Sequence, residues 1–230
     1  MDRTSVIIPV RNGANFLGEA VASALGQLGP ADQVIVVWDV STDDTQTVIA
    51  RMSDSRVRPI QGPGHGVSAA RNAGLAAAEG DLIAFLDHDD LWPQDRHATM
   101  MRALDHDPQL DAVFGRMRIK LEPGATPWQW IIDYDGRHVP GPNLGTALFR
   151  HDVLKKISGF DETLHFGEDL DYFDRLREAG MRFALCDLDG LIYRRHATNC
   201  TNDQRAVQQS VFEVIKRKRA RTKPPNREQA

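Results

Sequence analysis

Three short apolar runs constrain this chain most: Ser5 to Val10 (SVIIPV), Gln33 to Trp38 (QVIVVW) and Leu82 to Leu86 (LIAFL). Such runs, the first two rich in β-branched residues, fit strands covered on both faces, as in a parallel sheet with helices on either side. Helical patterns fall between them. Asn15 to Leu28 repeats through Phe16, Ala20, Ala24 and Leu28, and Gly66 to Ala78 is Ala-rich and closed by Gly80. Another helix is expected up to about Met52, with Ser41 and Thr42 as N-cap candidates and Asp43 and Asp44 favouring its positive end. Val57 to Gln61 reads as a further strand and Gln94 to Asp107 as a further helix. Repeated β-α units predict an α/β fold with a Rossmann-like, mostly parallel twisted sheet flanked by helices.

The second half is less regular. Leu121 to Leu144 holds Pro123, Gly124, Pro127, Gly136, Pro140, Gly141 and Pro142, a long loop of the kind that serves as a lid or is disordered. Helices are expected at His151 to Ile157, Asp169 to Ala179 and Asp203 to Arg219, and strands at Phe183 to Leu188 and Leu191 to Arg195. With no repeat and no linker, the 230 residues read as one domain.

Ligands of open α/β sheets gather at the carboxyl ends of the strands. Two acidic sites occupy such ends here: Asp39, and the cluster Asp87-His88-Asp89-Asp90. Three carboxylates in four positions repel each other unless something cationic neutralises them. A hard divalent cation, Mg²⁺ or Mn²⁺, prefers oxygen ligands and bridges carboxylates to substrate phosphates; helix capping is the other use of an Asp-rich strand end. Gly62-Pro63-Gly64-His65-Gly66 fails the G-x-G-x-x-G dinucleotide pattern and carries a proline in the turn. In Ala70-Arg71-Asn72-Ala73-Gly74, Arg71 falls near the sheet's carboxyl edge, where it could bind phosphate, brace the loop or form a surface ion pair.

Composition excludes several classes. A net charge of −4 argues against nucleic acid as a partner, and a hydrophobic fraction of 41% suits a globular core. No apolar run approaches the roughly 20 residues of a membrane span. The strand-like run from Ser5 leaves no room for a leader, so a cytoplasmic location is expected. Cys186 and Cys200 lack a C-x-x-C spacing and read as ordinary residues. The cluster Lys216, Arg217, Lys218, Arg219, Arg221 and Lys223 is either a solvated helix end fraying into Pro224-Pro225 or a weak contact for anionic lipid or an acidic partner.

Taken together, Val6 to Gly13 (VIIPVRNG), Val36 to Thr45 (VVWDVSTDDT), Gly66 to Gly74 (GVSAARNAG), Phe85 to Trp92 (FLDHDDLW), Gly159 to Glu162 (GFDE) and Gly167 to Tyr172 (GEDLDY) come in an order and spacing that resembles the family 2 glycosyltransferases of the GT-A fold. The resemblance covers about residues 4 to 200. It implies an inverting enzyme that uses a nucleotide-diphospho-sugar donor, a hydroxyl acceptor and Mn²⁺ or Mg²⁺. It also implies a nucleotide-binding half at 1–110, an acceptor-side and catalytic-base half at 111–200, and a C-terminal helix with a basic tail at 201–230. Backbone around Pro9 and Val10 and the side chain of Asp39 would hold the nucleobase, with Arg71 near the nucleotide. Asp87 would face the ribose or a metal-bound water, and Asp89, in the D-x-D position, would bind the metal. Asp169 would be the general base, and His196 would complete the metal site.

Arg11, Trp38 and Val40 depart from the pattern, standing where an aromatic residue, an aspartate and a glycine are common. The base-contacting aspartate survives as Asp39, and a uracil-type donor is favoured. The chemistry agrees with these positions. A glycosyl transition state is oxocarbenium-like while the diphosphate leaves with growing negative charge, which a bound cation stabilises. The acceptor hydroxyl then needs one carboxylate base; helix initiation is the alternative use of Glu168 and Asp169. Trp92 reads as core, whereas Trp128, Trp130 and Tyr134 are candidate sugar platforms in the Pro/Gly loop. The histidines other than His196 receive no role. Nucleotidyl transfer and a decayed nucleotide-sugar-binding protein are the competing readings.

Overall fold

The computed structural model describes residues 2–125, 138–139 and 143–222. Trp128, Trp130, Tyr134, most of the expected lid and the segment from Lys223 lie outside them. In the first half, β1 (Thr4–Val10), β2 (Gln33–Trp38), β3 (Val57–Gln61) and β4 (Leu82–Phe85) pair in parallel in the order β3-β2-β1-β4. Helices α1 (Leu17–Leu25), α2 (Thr45–Ala50), α3 (Val67–Ala77) and α4 (Arg96–His106) alternate with these strands. All seven residues of β1 are buried because both sheet faces are covered. Val6, Ile8 and Val10 pack with Leu17, Val21, Met100 and Leu104 on one face. Ile7 packs with Ala70 and with residues of the second half on the other. The Ala-rich α3 comes close enough that a Cβ on Gly74 would lie 2.4 Å from Ile7 Cγ2.

The second half holds β5 (Ala112–Leu121), β6 (His138–Val139), β7 (Ala147–Arg150), β8 (Phe183–Arg195), the short α5 (His151–Leu154), α6 (Glu168–Glu178) and α7 (Gln204–Thr222). β7 runs antiparallel to both β4 and β5, β6 runs antiparallel to β5, and β8 runs parallel to β5. The sheet is therefore mixed on this side, though parallel pairs dominate the whole. Register between β5 and β8 shifts twice around Arg116. There Gly115 and Gly190 meet so closely that a Cβ on Gly115 would lie 2.6 Å from Gly190 N; a bulge of this kind re-aims the strand beyond it. Past it, Ile192 bridges to Leu91, which steers the end of β8 toward the acidic loop after β4.

Several expected boundaries change. The two strands expected from Phe183 to Arg195 are one bulged strand, and β5 and β7 were not expected. Ser41 and Thr42 do not cap α2: its N-cap is Asp44, with no side-chain cap bond. They stitch loops together instead. Ser41 Oγ accepts from Asn12 N–H at 2.9 Å, and Thr42 N–H donates to Asn12 Oδ1 at 2.8 Å. The basic tail is not merely a solvated helix end. Arg217 pairs with Asp161, Lys218 with Asp174 (2.7 Å), and Arg221 with Asp171 (2.6 Å) and Glu178 (3.2 Å). Half of the cations in α7 thus clamp it onto α6 and the loop before it. No described helix is long and apolar enough to cross a membrane.

Candidate active site

A cavity of about 480 Å³ opens at the carboxyl edge of the parallel strands and is closed from the far side by the second half. Pro9, Val10, Asp39, Arg71, Asp87, Asp89 and Asp169 all line it; His196 stands immediately behind Asp89. The residues picked from sequence therefore converge on one place.

On the nucleotide side, Asp39 is buried and its N–H donates to Val10 O at 2.9 Å. Its Oδ1 accepts from Gly64 N–H at 3.0 Å, and a Cβ on Gly62 would come within 2.3 Å of that oxygen. The Gly62 to Gly66 turn, a poor dinucleotide fingerprint, thus serves to hold a carboxylate. Trp38 ends β2 and packs, partly buried, against the core while Val40 is exposed, so these two departures flank Asp39 without displacing it.

Arg71 is almost wholly buried and joins the two halves. It donates to Asp87 Oδ1 (2.8 Å) and to Glu168 Oε1 (2.6 Å), and lies over the Phe160 ring. Burial alone would lower its pKa, but Asp87 and Glu168 raise it above the usual arginine value. Its Nε is buried and has no hydrogen-bond partner among the described residues. The neighbouring Asn72 is fixed on the same second-half segment. Its amide donates to Phe160 O at 2.9 Å and accepts from Phe160 N–H at 2.7 Å.

The acidic cluster resolves its repulsion by pointing its members three ways. Asp87 meets Arg71. Asp90 is buried and accepts from Arg194 N–H at 2.9 Å, and its pKa is pushed well above the carboxylate range by burial and by Asp89 and Asp87. Asp89 Oδ2 lies 3.1 Å from His196 Nε2 and accepts more weakly from Asn199 Nδ2 at 3.4 Å. Arg71 and His196 thus meet part of the cluster's charge, while Asp87 and Asp89 still act on Asp90. No group of three or more His, Cys, Asp or Glu among the described residues forms a ready metal cage. Asp89 and His196 still offer one oxygen and one nitrogen, a donor set that fits Mn²⁺ better than Mg²⁺, which prefers oxygen, when phosphate and water supply the remaining positions. His196 is oriented for this: Nδ1 meets Thr198 Oγ1 at 2.9 Å and the ring stacks on Phe16 at 4.4 Å.

Opposite, Gly167 adopts φ +74° and starts α6, so that Glu168 and Asp169 open its first turn. Asp169 Oδ1 accepts from Leu170 N–H at 2.8 Å, which is the helix-start use; its carboxyl also lines the cavity. Burial and then the adjacent Glu168 push its pKa up to about 6, in the range suited to a base at neutral pH.

Sequence reasoning missed three contributors. Arg194 is buried, donates to Asp89 O, pairs with Glu19 and covers the Phe16 ring. Asn199 accepts from His196 N–H at 2.6 Å. Cys200, read as ordinary, lines the cavity, its thiol pushed up to about 11 by burial and by Asp87 and Asp89. His88 and His165, given no role from sequence, also line the cavity. The run Tyr193-Arg194-Arg195-His196 was the one available signal for Arg194. Trp92 is core, its ring lying under the Arg96 guanidinium at 4.1 Å.

A parallel half with acidic strand ends, joined to a mixed half that brings a separate carboxylate, is an architecture of GT-A type. Residues 5–166 match the model of Glycosyl transferase family 2, and the chain belongs to that family. It is 33% identical over 195 residues to a pre-mycofactocin glycosyltransferase of Mycobacterium tuberculosis, covering 77% of this chain and 40% of that relative. Among solved structures it is similar to S. aureus TarS 1-349 in complex with UDP-GlcNAc (TM-score 0.74, 20% identity, 94% of this chain and 64% of that one). It is also similar to the mannosyltransferase PcManGT of Pyrobaculum calidifontis in complex with GDP-Man and Mn²⁺ (TM-score 0.72, 20% identity, 97% and 66%). The chain thus spans less than two thirds of each of these proteins.

Proposed function

We propose that the chain transfers a sugar from a nucleotide diphosphate, UDP-type favoured, to a hydroxyl acceptor with inversion. The observation that carries this reading is the convergence of Asp39, Arg71, Asp89 and Asp169 on one cavity, with the elevated carboxyl of Asp169 across from the Asp89–His196 pair. Asp39 has lone pairs left after the Gly64 bond and accepts from a ring N–H of the base. Arg71, held by its two carboxylates, gives that side of the cavity fixed positive charge beside the diphosphate. Asp89 and His196 are the residues that would hold Mn²⁺ or Mg²⁺, which when bound stabilises negative charge on the departing diphosphate. Asp169 takes the proton from the acceptor hydroxyl as its oxygen bonds to the anomeric carbon. The bond from that carbon to the diphosphate oxygen breaks, and the nucleoside diphosphate leaves with the electron pair. One displacement on the face opposite the leaving group inverts the anomeric configuration.

The test pairs calorimetry of nucleotide binding with turnover for Asp169→Asn. Binding should persist while turnover falls by roughly two to four orders of magnitude, the usual worth of a positioned base. Because Asn keeps an oxygen that can accept from Leu170 N–H, intact turnover would leave Asp169 with a structural role alone. Thermal-shift screening of nucleotide diphosphates and their sugars, with and without Mn²⁺, identifies the donor.

A further inference from the structure

Helix α7 divides its charges between two faces. Inward, Val214 is buried and Arg217, Lys218 and Arg221 pair with carboxylates of α6 and the preceding loop. Outward, Val211, Phe212 and Ile215 stand 40%, 74% and 42% exposed. Spacings of three and four residues place these side chains next to one another on a helix surface. On the same side lie Arg205, Lys216 and Arg219. Arg205 and Arg219 make no ion pair among the described residues, and Lys216 reaches Glu213 only at 3.8 Å with its side chain 81% exposed. Glu213 is the sole carboxylate of the helix, and it also bonds Arg217 at 3.3 Å on the inward side.

We propose that this outward face of α7 docks on an anionic lipid bilayer. An apolar strip with Arg205, Lys216 and Arg219 gathered around Phe212 matches the interface of a negatively charged membrane. There the apolar side chains enter the acyl boundary and long basic stems keep their charges among the headgroups. A protein partner's apolar surface would leave the three cations without counter-charge; a bilayer with anionic headgroups supplies it. The inward face of the same helix touches the turn that leads to Glu168 and Asp169: a Cβ on Gly167 would lie 3.1 Å from Val214 Cγ2 and 3.3 Å from Ser210 Oγ. Docking by α7 therefore holds the acceptor side of the cavity close to the membrane surface. The inference stands on the helix alone and does not depend on the transfer reading.

Vesicle flotation with the full chain tests it, comparing pure phosphatidylcholine with phosphatidylcholine carrying roughly a quarter phosphatidylglycerol. Binding to the anionic vesicles should be about a hundredfold tighter, given the worth of a cation near an anionic surface taken over three side chains. It should weaken as salt rises. Lys216→Glu with Arg219→Glu should abolish the preference, and Phe212→Ser with Ile215→Ser should lower binding to anionic vesicles, all with unchanged melting because these side chains face solvent. Equal binding to both vesicles, or binding to neither, overturns the proposal. So does self-association that Phe212→Ser removes while no vesicle binds, which would make the face a contact between copies.

Discussion

The two halves of this molecule build their share of the site by different means. In the parallel half the functional groups sit at or just beyond strand ends: Val10 ends β1, Asp39 follows β2, and Asp87 and Asp89 follow β4. A buried apolar run is enough to place each of them. In the mixed half the groups arrive over long sequence distances and are held by partners: His196 by Asp89, Asn199 and Phe16, and Glu168 by Arg71. Strand ends therefore supply positions in the first half, and side-chain networks supply them in the second. The carboxyl of Asp169 takes its raised pKa from the second arrangement, through burial and the adjacent Glu168.

Breaking the link between halves should have the largest effect. Arg71→Met leaves Asp87 and the largely buried Glu168 without their cation, at a cost of about 3–5 kcal/mol, measurable by urea unfolding. A cost near zero would show that each half holds its carboxylate unaided. Next, Asp89→Ala and His196→Ala should each reduce metal-dependent turnover by about two to three orders of magnitude, the scale of lost transition-state electrostatics. Equal losses from residues 107 apart would sharpen the comparison, since one site would then draw equally on both halves. A large loss from Asp89→Ala alone would confine the metal to the parallel half.

Smaller effects follow from the turn before α6. Gly167→Ala forces a side chain into the left-handed region at φ +74° and toward Val214, costing about 1–2 kcal/mol, read from the melting temperature. The pH dependence is subtler. Turnover should fall as pH drops through about 6, where Asp169 takes up its proton. Glu168→Gln removes the neighbouring negative charge and should move that limb to lower pH. The stability linkage runs the opposite way to turnover. A carboxyl whose folded pKa is raised favours folding below its unfolded value near 4, and that contribution is lost as pH rises through about 6. Asp169→Asn should therefore raise the melting temperature at pH 8 more than at pH 5.

The contrast also explains what could be read from sequence. β1, β2 and β4 are uninterrupted apolar runs with both faces buried, so their ends and the acids there were legible. β5 was overlooked although Arg116, Arg118 and Lys120 alternate with Met117, Ile119 and Leu121, which is the period of two that a half-buried strand shows. β8 read as two strands because Asp187, Asp189 and Gly190 interrupt it at the bulge. Asn199 and Cys200 carry no periodic signal at all; they join the site through the turn after β8, which only tertiary packing fixes. The fold class, Asp39, Asp89, Asp169 and His196 came through motif order, whereas the pairing of Arg71 with Glu168 across 97 positions had no local trace.

Helix α3 bears on how the chain assembles in time. It looks like the third helix of a self-sufficient nucleotide-binding unit, yet Arg71 and Asn72 find their partners in Phe160, Glu162 and Glu168. Until that segment has been synthesised and has folded back, a guanidinium and an amide lodged against β1 must keep water around them. The first 110 residues cannot close their core on that side beforehand, and β4 waits for β7 in the same way. A fragment ending there should be a loosely packed, aggregation-prone species. The whole chain should unfold in a single cooperative step, because late-made residues supply the last polar partners of an early-made helix.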